Sequence, residues 1–152
     1  MPTKLRLLRE SITYSQAKDK ETNVLHQLTF WQRQKEFFDH IHSCSNLIED
    51  LVAHHLGTRV GICQIADEKE WMHGSFNLCV PVSVPNFGHV LMRFPLPYRT
   101  GNDVFPGNGD EKVRCEAGAY TWLQQECPAV RIARLHGFGL SNGKYVRLTD
   151  SL

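Results

Sequence analysis

The feature of this sequence that most constrains its fold is a change of hydrophobic period near residue 58. Before that point, apolar residues recur at steps of three and four, as on one face of a helix. After it come three runs rich in β-branched and aromatic residues, at 59–65, 75–84 and 89–94, each bounded by turn formers. A helical pattern returns over 111–126 and stops before a proline. This order predicts an α+β fold in which a hairpin-connected antiparallel sheet is followed by one packed helix.

The chain is predicted to contain three segments. Residues 1–23 are polar and weakly patterned, so we expect a flexible N-terminal arm. Residues 24–57 carry two helices and form a helical extension. Residues 58–152 carry the sheet and its helix, together with two further strand-like runs at 131–138 and 144–148.

Individual residues mark the expected ends and anchors of these elements. Asn46 and Glu49 have the spacing of a capping box and predict the start of the second N-terminal helix. Gly57 is expected to end that helix in the left-handed conformation. Trp71 and Trp122 are expected to be core anchors, because large aromatic side chains dominate the burial energy of small domains.

Composition limits the classes of function. The formal net charge is +1, from 17 basic and 16 acidic residues without a long basic tract, which does not indicate binding to nucleic acid or an anionic membrane. No stretch resembles a secretory signal or approaches the roughly 18 apolar residues of a membrane span. The five cysteines are odd in number and never form a Cys-x-x-Cys pair, which favours reduced thiols in a cytoplasmic protein.

A glycine turn, formed by Gly74, Ser75, Phe76 and Asn77, lies between the first two strand-like runs and overlaps the start of the second. Glycine at such a hairpin lets backbone amides approach a ligand closely, and amides in this arrangement favour phosphate oxygens. The same four residues are also compatible with a tight turn that binds nothing. The turn alone leaves both interpretations open.

Arg93 and Glu116 are the candidate charged pair. Arg93 lies in an otherwise apolar strand, where a cation is costly unless it is paired, so it could hold phosphates or could simply face solvent. Glu116 lies near the apolar stripe of the following helix and is the natural partner for Arg93. Glu111 and Glu126 are competing partners, which would give only a surface salt bridge worth about 0–1 kcal/mol.

These motifs occur together in an order that resembles one family. The chain is similar over about residues 30–143 to the N-terminal part of fungal aminoglycoside phosphotransferase-like proteins, which have the protein-kinase-like fold. The motifs that carry the resemblance are Asp-Glu-Lys-Glu-Trp-Met-His-Gly-Ser-Phe-Asn at 67–77, Arg-Phe-Pro-Leu-Pro-Tyr-Arg at 93–99, Asp-Glu-Lys-Val-Arg-Cys-Glu at 110–116, Trp-Leu-Gln at 122–124 and Leu-His-Gly-Phe-Gly at 135–139.

The resemblance implies a kinase-like small lobe that binds nucleotide phosphates. In it the glycine turn would cover the phosphates, Arg93 would be the strand cation, and Glu116 would be the helix carboxylate that fixes this cation. Most kinases have lysine where this chain has arginine, a planar fork that is not interchangeable with lysine. The complete family fold would use ATP and Mg²⁺.

The large lobe of that family has no counterpart in the sequence. No His-x-Asp catalytic loop and no Asp-Phe-Gly motif occurs in the chain, so we expect neither catalytic residues nor metal ligands. The eight histidines lack carboxylates or cysteines at ligand spacing and are expected to be surface or packing residues. Catalysis by this chain alone is therefore not expected, and binding of ATP is left open.

Three interpretations of function follow. In the first, the chain is the small lobe of a truncated phosphotransferase whose family chemistry is ATP-dependent phosphoryl transfer to a small-molecule hydroxyl. In the second, it is a non-catalytic interaction or regulatory module that could form a homodimer. In the third, a separate chain supplies the large lobe. The sequence does not identify an acceptor substrate.

Overall fold

The computed structural model describes residues 2–148, which form an α+β fold, as the sequence predicts. Within these residues there are five α-helices, eight strands in three antiparallel sheets, and 3₁₀ segments at Leu25–Thr29 and Glu68–Glu70. The strands are β1 (Lys4–Arg6), β2 (Ser11–Thr13), β3 (Gln64–Ile65), β4 (Met72–His73), β5 (Asn77–Val84), β6 (Gly88–Pro95), β7 (Gly137–Gly139) and β8 (Tyr145–Arg147). The helices are α1 (Tyr14–Lys18), α2 (Phe30–Ser43), α3 (Ser45–Leu56), α4 (Pro97–Thr100) and α5 (Asn108–Glu126).

The chain divides into two compact units, Met1–Ser43 and Cys44–Leu152. The domain boundary predicted between residues 57 and 58 stays a prediction, because a division by compactness does not define a functional domain. In the part of the chain that the structure describes, no helix is both long and apolar enough to cross a membrane.

The first unit contains regular structure where the sequence analysis expected an arm. Strands β1 and β2 form an antiparallel hairpin, and a capping box between Thr13 and Gln16 starts α1. Leu7, Ile12 and Val24 are buried together as a small apolar cluster. The pattern was missed because strands of three residues are too short for a period of two to stand out.

The sheet of the second unit is built around β5. Strand β6 pairs with β5 along its whole length, from Asn77 opposite Pro95 to Val84 opposite Gly88. Strands β3 and β4 both pair antiparallel with β5 and must share its other edge. Leu78, Val80 and Val82 alternate along β5 and are fully buried, so one face of this central strand forms the core.

Pro81 explains why the outer edge is split into two short strands. On that edge the Pro81 carbonyl oxygen accepts a hydrogen bond from the Ala66 amide at 2.9 Å. Proline has no N–H, so Pro81 cannot donate the second hydrogen bond of the pair. The N–H and C=O of one residue in an antiparallel strand face the same neighbour, so the ladder stops here. The 3₁₀ turn Glu68–Glu70 fills the gap, and the buried Trp71 closes it with an indole N–H bond to Ala66 at 2.9 Å.

Of three expectations about short strands, two are wrong and one is confirmed. The run 59–65 is a strand only at Gln64–Ile65, because Gly61 has a φ of 82°, in the left-handed region that no strand contains. The run 131–138 becomes a strand only at Gly137, and residues 131–136 have no strand pairing. The 144–148 run is confirmed as β8 (Tyr145–Arg147).

The start of α3 also differs from expectation. Asn46 makes no capping hydrogen bond, and Glu49 instead accepts the Ile65 amide at 2.9 Å, which ties α3 to β3. The Glu49 side chain is thus used for tertiary contact and does not fold back on its own helix. At the other end Gly57 is left-handed, with a φ of 67°, as predicted.

Helix α5 matches the sequence prediction except at one tryptophan. Ala117 is buried, and its neighbours at 113, 120 and 124 are half-buried, which confirms the predicted inward stripe. Trp71 is buried as expected, but Trp122 is 57% exposed, so the prediction that it anchors the core is wrong. Trp122 lies two residues from the stripe, and positions two apart on a helix point in different directions.

Candidate functional site

The glycine turn lies at the end of the sheet where β4 meets β5. The Gly74 amide donates to the Asn77 carbonyl at 3.0 Å, and the Leu96 amide donates to the Phe76 carbonyl at 2.8 Å. Ser75 and Phe76 are exposed residues, and within the described residues no hydrogen bond satisfies their backbone amides. These two backbone donors are therefore accessible to solvent or to an anion.

Gly74 itself is not required by the local backbone. Its φ is not positive, and a Cβ built on it meets nothing within 4 Å. An alanine would therefore fit the turn without strain. The lack of a side chain at Gly74 would therefore affect only a molecule that approaches the turn from outside.

Directly below the turn, three charged side chains and one amide meet. We call these residues, Asn77, Arg93, Lys112 and Glu116, the Arg93 cluster. Arg93 Nη2 lies 3.6 Å from Glu116 Oε1, and Lys112 Nζ contacts the same carboxylate oxygen. The side chains of Arg93, Lys112 and Glu116 are 42%, 21% and 31% exposed. The cluster therefore lies at the surface, although its contacts are partly shielded from water.

Each position in the cluster follows from the fold. Arg93 is placed by the β5–β6 register opposite Cys79, two residues before the strand ends. Lys112 and Glu116 are four residues apart on α5 and so project from the same side of the helix. Asn77, at the start of β5, is 9% exposed and lies between the strand cation and the helix.

The orientation of the Asn77 amide follows from its neighbours. With its oxygen toward Arg93, the amide accepts from Arg93 Nη2 at 2.7 Å and Nε at 3.1 Å, and from Lys112 Nζ at 3.2 Å. Its nitrogen then donates to the Phe76 carbonyl at 3.2 Å. The opposite orientation would bring amide N–H groups against the guanidinium in exchange for one contact of 3.4 Å to Glu116. We therefore assign the oxygen to the Arg93 side.

The carboxyl group of Glu116 is held in its charged form. Burial alone would raise its pKa, but the hydrogen bond from Lys112 and the charge of Arg93 outweigh burial, so the pKa is lowered. Glu116 is thus a carboxylate at neutral pH, and the three ionised groups of the cluster sum to one positive charge. This excess is the electrostatic feature that an anion would meet.

The predicted pairing of Arg93 with Glu116 is confirmed, and the competing partner Glu111 instead lies 4.0 Å from Arg114. Of the glycine turn, only Asn77 joins the cluster through its side chain. Lys112 is not among the residues predicted from the sequence, although its spacing of four residues from Glu116 is a recognisable signal. That any of these residues binds a nucleotide stays a prediction.

An apolar strip lies beside the cluster on the same face of the sheet. The register places Met72 and Cys79 in one row with Arg93, and Pro81 with Leu91 in the next row. Met72 and Leu91 are 50% and 54% exposed. The face therefore combines a cationic end with an accessible apolar surface.

Among residues 2–148 no three His, Cys, Asp or Glu side chains are grouped so that they could hold a metal ion. None of the five cysteines, all of which lie within the described residues, forms a disulfide bond.

Comparison with known proteins found no relative of this chain. No protein-family model, no curated protein and no solved structure matches this chain.

Proposed function

We propose that this chain binds the phosphate groups of a nucleotide at the Arg93 cluster, beneath the glycine turn. The observation that carries the proposal is that Arg93 and Lys112 both contact the Glu116 carboxylate and both donate to the Asn77 amide oxygen, next to the exposed residues Ser75 and Phe76. This arrangement would present fixed N–H donors and a net positive charge to an anion.

The carboxylate in the cluster acts as a positioning group. Arg93 is 42% exposed, and Glu116 and Asn77 engage two of its nitrogen atoms. A guanidinium has five N–H donors, so it retains donors for phosphate oxygens while these contacts fix its plane. The same reasoning argues against Mg²⁺ ligation by this cluster, because its only carboxylate is already engaged by two cations.

The apolar strip supports a nucleotide over a simple phosphate. A nucleobase is a flat apolar group with polar edges, and Met72 and Leu91 offer an exposed apolar surface beside the cationic end. Such a surface would contribute binding energy that inorganic phosphate cannot use. The proposal includes no catalysis by this chain alone, in keeping with the phosphotransferase resemblance, which supplies no catalytic residue here.

The test is calorimetric titration of the full chain with ATP, ADP, adenosine and inorganic triphosphate at low ionic strength. We expect ATP to bind more tightly than adenosine and more tightly than triphosphate. Arg93→Met and Lys112→Met should each weaken ATP binding at least about tenfold, since one hydrogen bond to a charged group is worth roughly 1.5–3 kcal/mol. Arg131→Met, which removes the same charge at an exposed position outside the cluster, should change the affinity by less than about twofold.

Two outcomes would refute the proposal. One is the absence of measurable ATP binding at millimolar concentration by a chain that unfolds cooperatively. The other is ATP binding that Arg93→Met and Lys112→Met leave unchanged. Urea unfolding of each variant separates a loss of binding from a loss of folding.

The exposed apolar strip also favours a second candidate function, self-association as an interaction module. Two copies could cover Met72 and Leu91 on each other's sheets through a two-fold interface. Sedimentation velocity over a wide concentration range tests this, with Leu91→Glu as the disrupting variant. A single monomeric species at the highest concentration would argue against self-association.

A further inference from the structure

A second cluster of titratable groups joins the C-terminal turn of α3 to the β7–β8 hairpin. The ring of Tyr145 lies edge-on to His54 and His55, with ring centroids 5.2 and 5.8 Å apart. Just before β7, the ring of His136 lies 5.4 Å from Phe87 in the β5–β6 turn. The hairpin is thus docked through histidine contacts that the proposed nucleotide site does not use.

His55 is the side chain most enclosed by this docking. A Cβ built on Gly137 would clash with His55 Nδ1 and would lie 2.5 Å from the carbonyl oxygen of Val146. The imidazole therefore packs against the bare backbone of β7, and only glycine leaves room for it. Nδ1 of His55 is buried and has no hydrogen-bond partner.

A proton on His55 would be poorly accommodated in this position. A buried charge without a partner is costly. The neighbouring groups whose charge would repel a proton on His55 are His54, Arg147 and His136, each a cation or a potential cation. The Arg147 guanidinium lies over Gly57, where a Cβ would be 2.5 Å from its Nη2. The positive charge of Arg134 likewise disfavours a proton on His136. Tyr145, whose ring also contacts His55, donates no hydrogen bond to its Nδ1.

Two effects oppose each other at His55. The carbonyl groups at the C-terminus of α3 favour a cation, but this attraction is modest at a partly exposed helix end. Burial of the imidazole lowers the pKa of His55, and His54, Arg147 and His136 lower it further. Burial followed by the charge of Arg134 lowers the pKa of His136 as well. The docked state therefore disfavours protons at two histidines.

We propose that the β7–β8 hairpin is an acid-released flap, which stays docked on α3 while His55 is neutral and lifts when His55 takes a proton. The tip of the hairpin remains tethered, because Asp110 accepts hydrogen bonds from the Ser141 amide at 2.9 Å and hydroxyl at 2.8 Å. Release would therefore swing the open end of the hairpin away from α3 and expose the half-buried ring of His55.

The sign of the pH dependence follows from linkage. A histidine released into water titrates near its ordinary value of about 6.5, whereas the docked His55 takes a proton only at lower pH. Docking is then fully stable above about pH 6.5 and weakens as the pH falls below it. The tether at Asp110 persists through this range, since hydrogen bonds from Ser141 lower the pKa of that carboxyl.

The experiment is ¹⁵N relaxation of the full chain between pH 7.5 and 5.0, together with the titration of His55 followed by its ring ¹³C resonance. At pH 7.5 the amides of Val146 and Arg147 should have order parameters near the rigid value of about 0.85, falling below about 0.6 at pH 5.0. The transition should coincide with the His55 titration. Amides of β5 should stay rigid throughout, which distinguishes flap release from global unfolding.

Two variants and a control make the proposal falsifiable. His55→Phe cannot take a proton and should keep the hairpin rigid at pH 5.0, whereas Gly137→Ala fills the space of the imidazole and should release it already at pH 7.5. His89→Gln, at an exposed position on β6, should behave as the wild type. A hairpin that stays rigid after His55 has titrated, or that loosens at the same pH in His55→Phe, would overturn the proposal.

Discussion

Replacing Asn77 by alanine should lower the free energy of unfolding by about 2–3 kcal/mol. The amide accepts two bonds from Arg93 and one from Lys112, and donates one to the Phe76 carbonyl. Hydrogen bonds to charged groups are worth roughly 1.5–3 kcal/mol, but water reaches both cations and Glu116 keeps them paired, so the cost is closer to one such bond plus the bond to Phe76.

The assay is equilibrium unfolding in urea followed by far-ultraviolet circular dichroism. The transition midpoint should fall with an unchanged slope, since the variant changes stability and not the area exposed on unfolding. Asn46→Ala is the matched control, because Asn46 is exposed and makes no capping bond. It should change the stability by no more than about 0.5 kcal/mol. If Asn77→Ala costs no more than this control, the cluster does not stabilise the fold and the reasoning is refuted.

Three further predictions concern other parts of the molecule. Gly74→Ala should leave stability unchanged or raise it by about 0.4–1 kcal/mol, because alanine fits the turn and restricts the unfolded chain; a lower urea midpoint would contradict this. The pKa of Asp110 is lowered by the Ser141 amide and hydroxyl, so its contribution is present above about pH 3.9 and lost as the pH falls further. Asp110→Asn should therefore flatten the acid limb of the stability profile between pH 5 and 2; an unaltered limb would show that the tether has no energetic role. Exposed Cys115 should react with iodoacetamide far faster than Cys63, which is 2% exposed and whose pKa is raised by burial, and equal rates in mass spectra would contradict the burial.

The sequence predicts those parts of the fold that depend on long periodic segments. The β5–β6 hairpin and α5 were found because eight-residue strands and a nineteen-residue helix carry several repeats of their periods. The pairing of Arg93 with Glu116 was predictable for a related reason. A lone cation in an apolar strand requires a partner, and the following helix supplies it.

Features that depend on tertiary contacts could not be predicted from the sequence. Asn46 and Glu49 have the sequence of a capping box, yet Glu49 bonds to Ile65, a contact that local spacing cannot reveal. The break opposite Pro81 depends on which edge of β5 the proline faces, and thus on a register fixed only by the folded sheet. Likewise, the buried amide of Asn77 becomes part of the cluster only because two separate elements converge on it.

The three-residue connection between β5 and β6 has a consequence for the kinetics of folding. Hairpins with short connections close in microseconds. In this hairpin the fully buried Leu78, Val80 and Val82 pair with residues of β6 that are close to them in sequence, and such local contacts form quickly. We expect Asn77 and Arg93 to come into contact early in folding, at the open end of that hairpin. Helix α5 would pack against the sheet afterwards and bring Lys112 and Glu116 into the cluster. A ligand that needs all four residues would then bind only after the rate-limiting step of folding. Such a ligand would slow unfolding and leave the rate of folding almost unchanged.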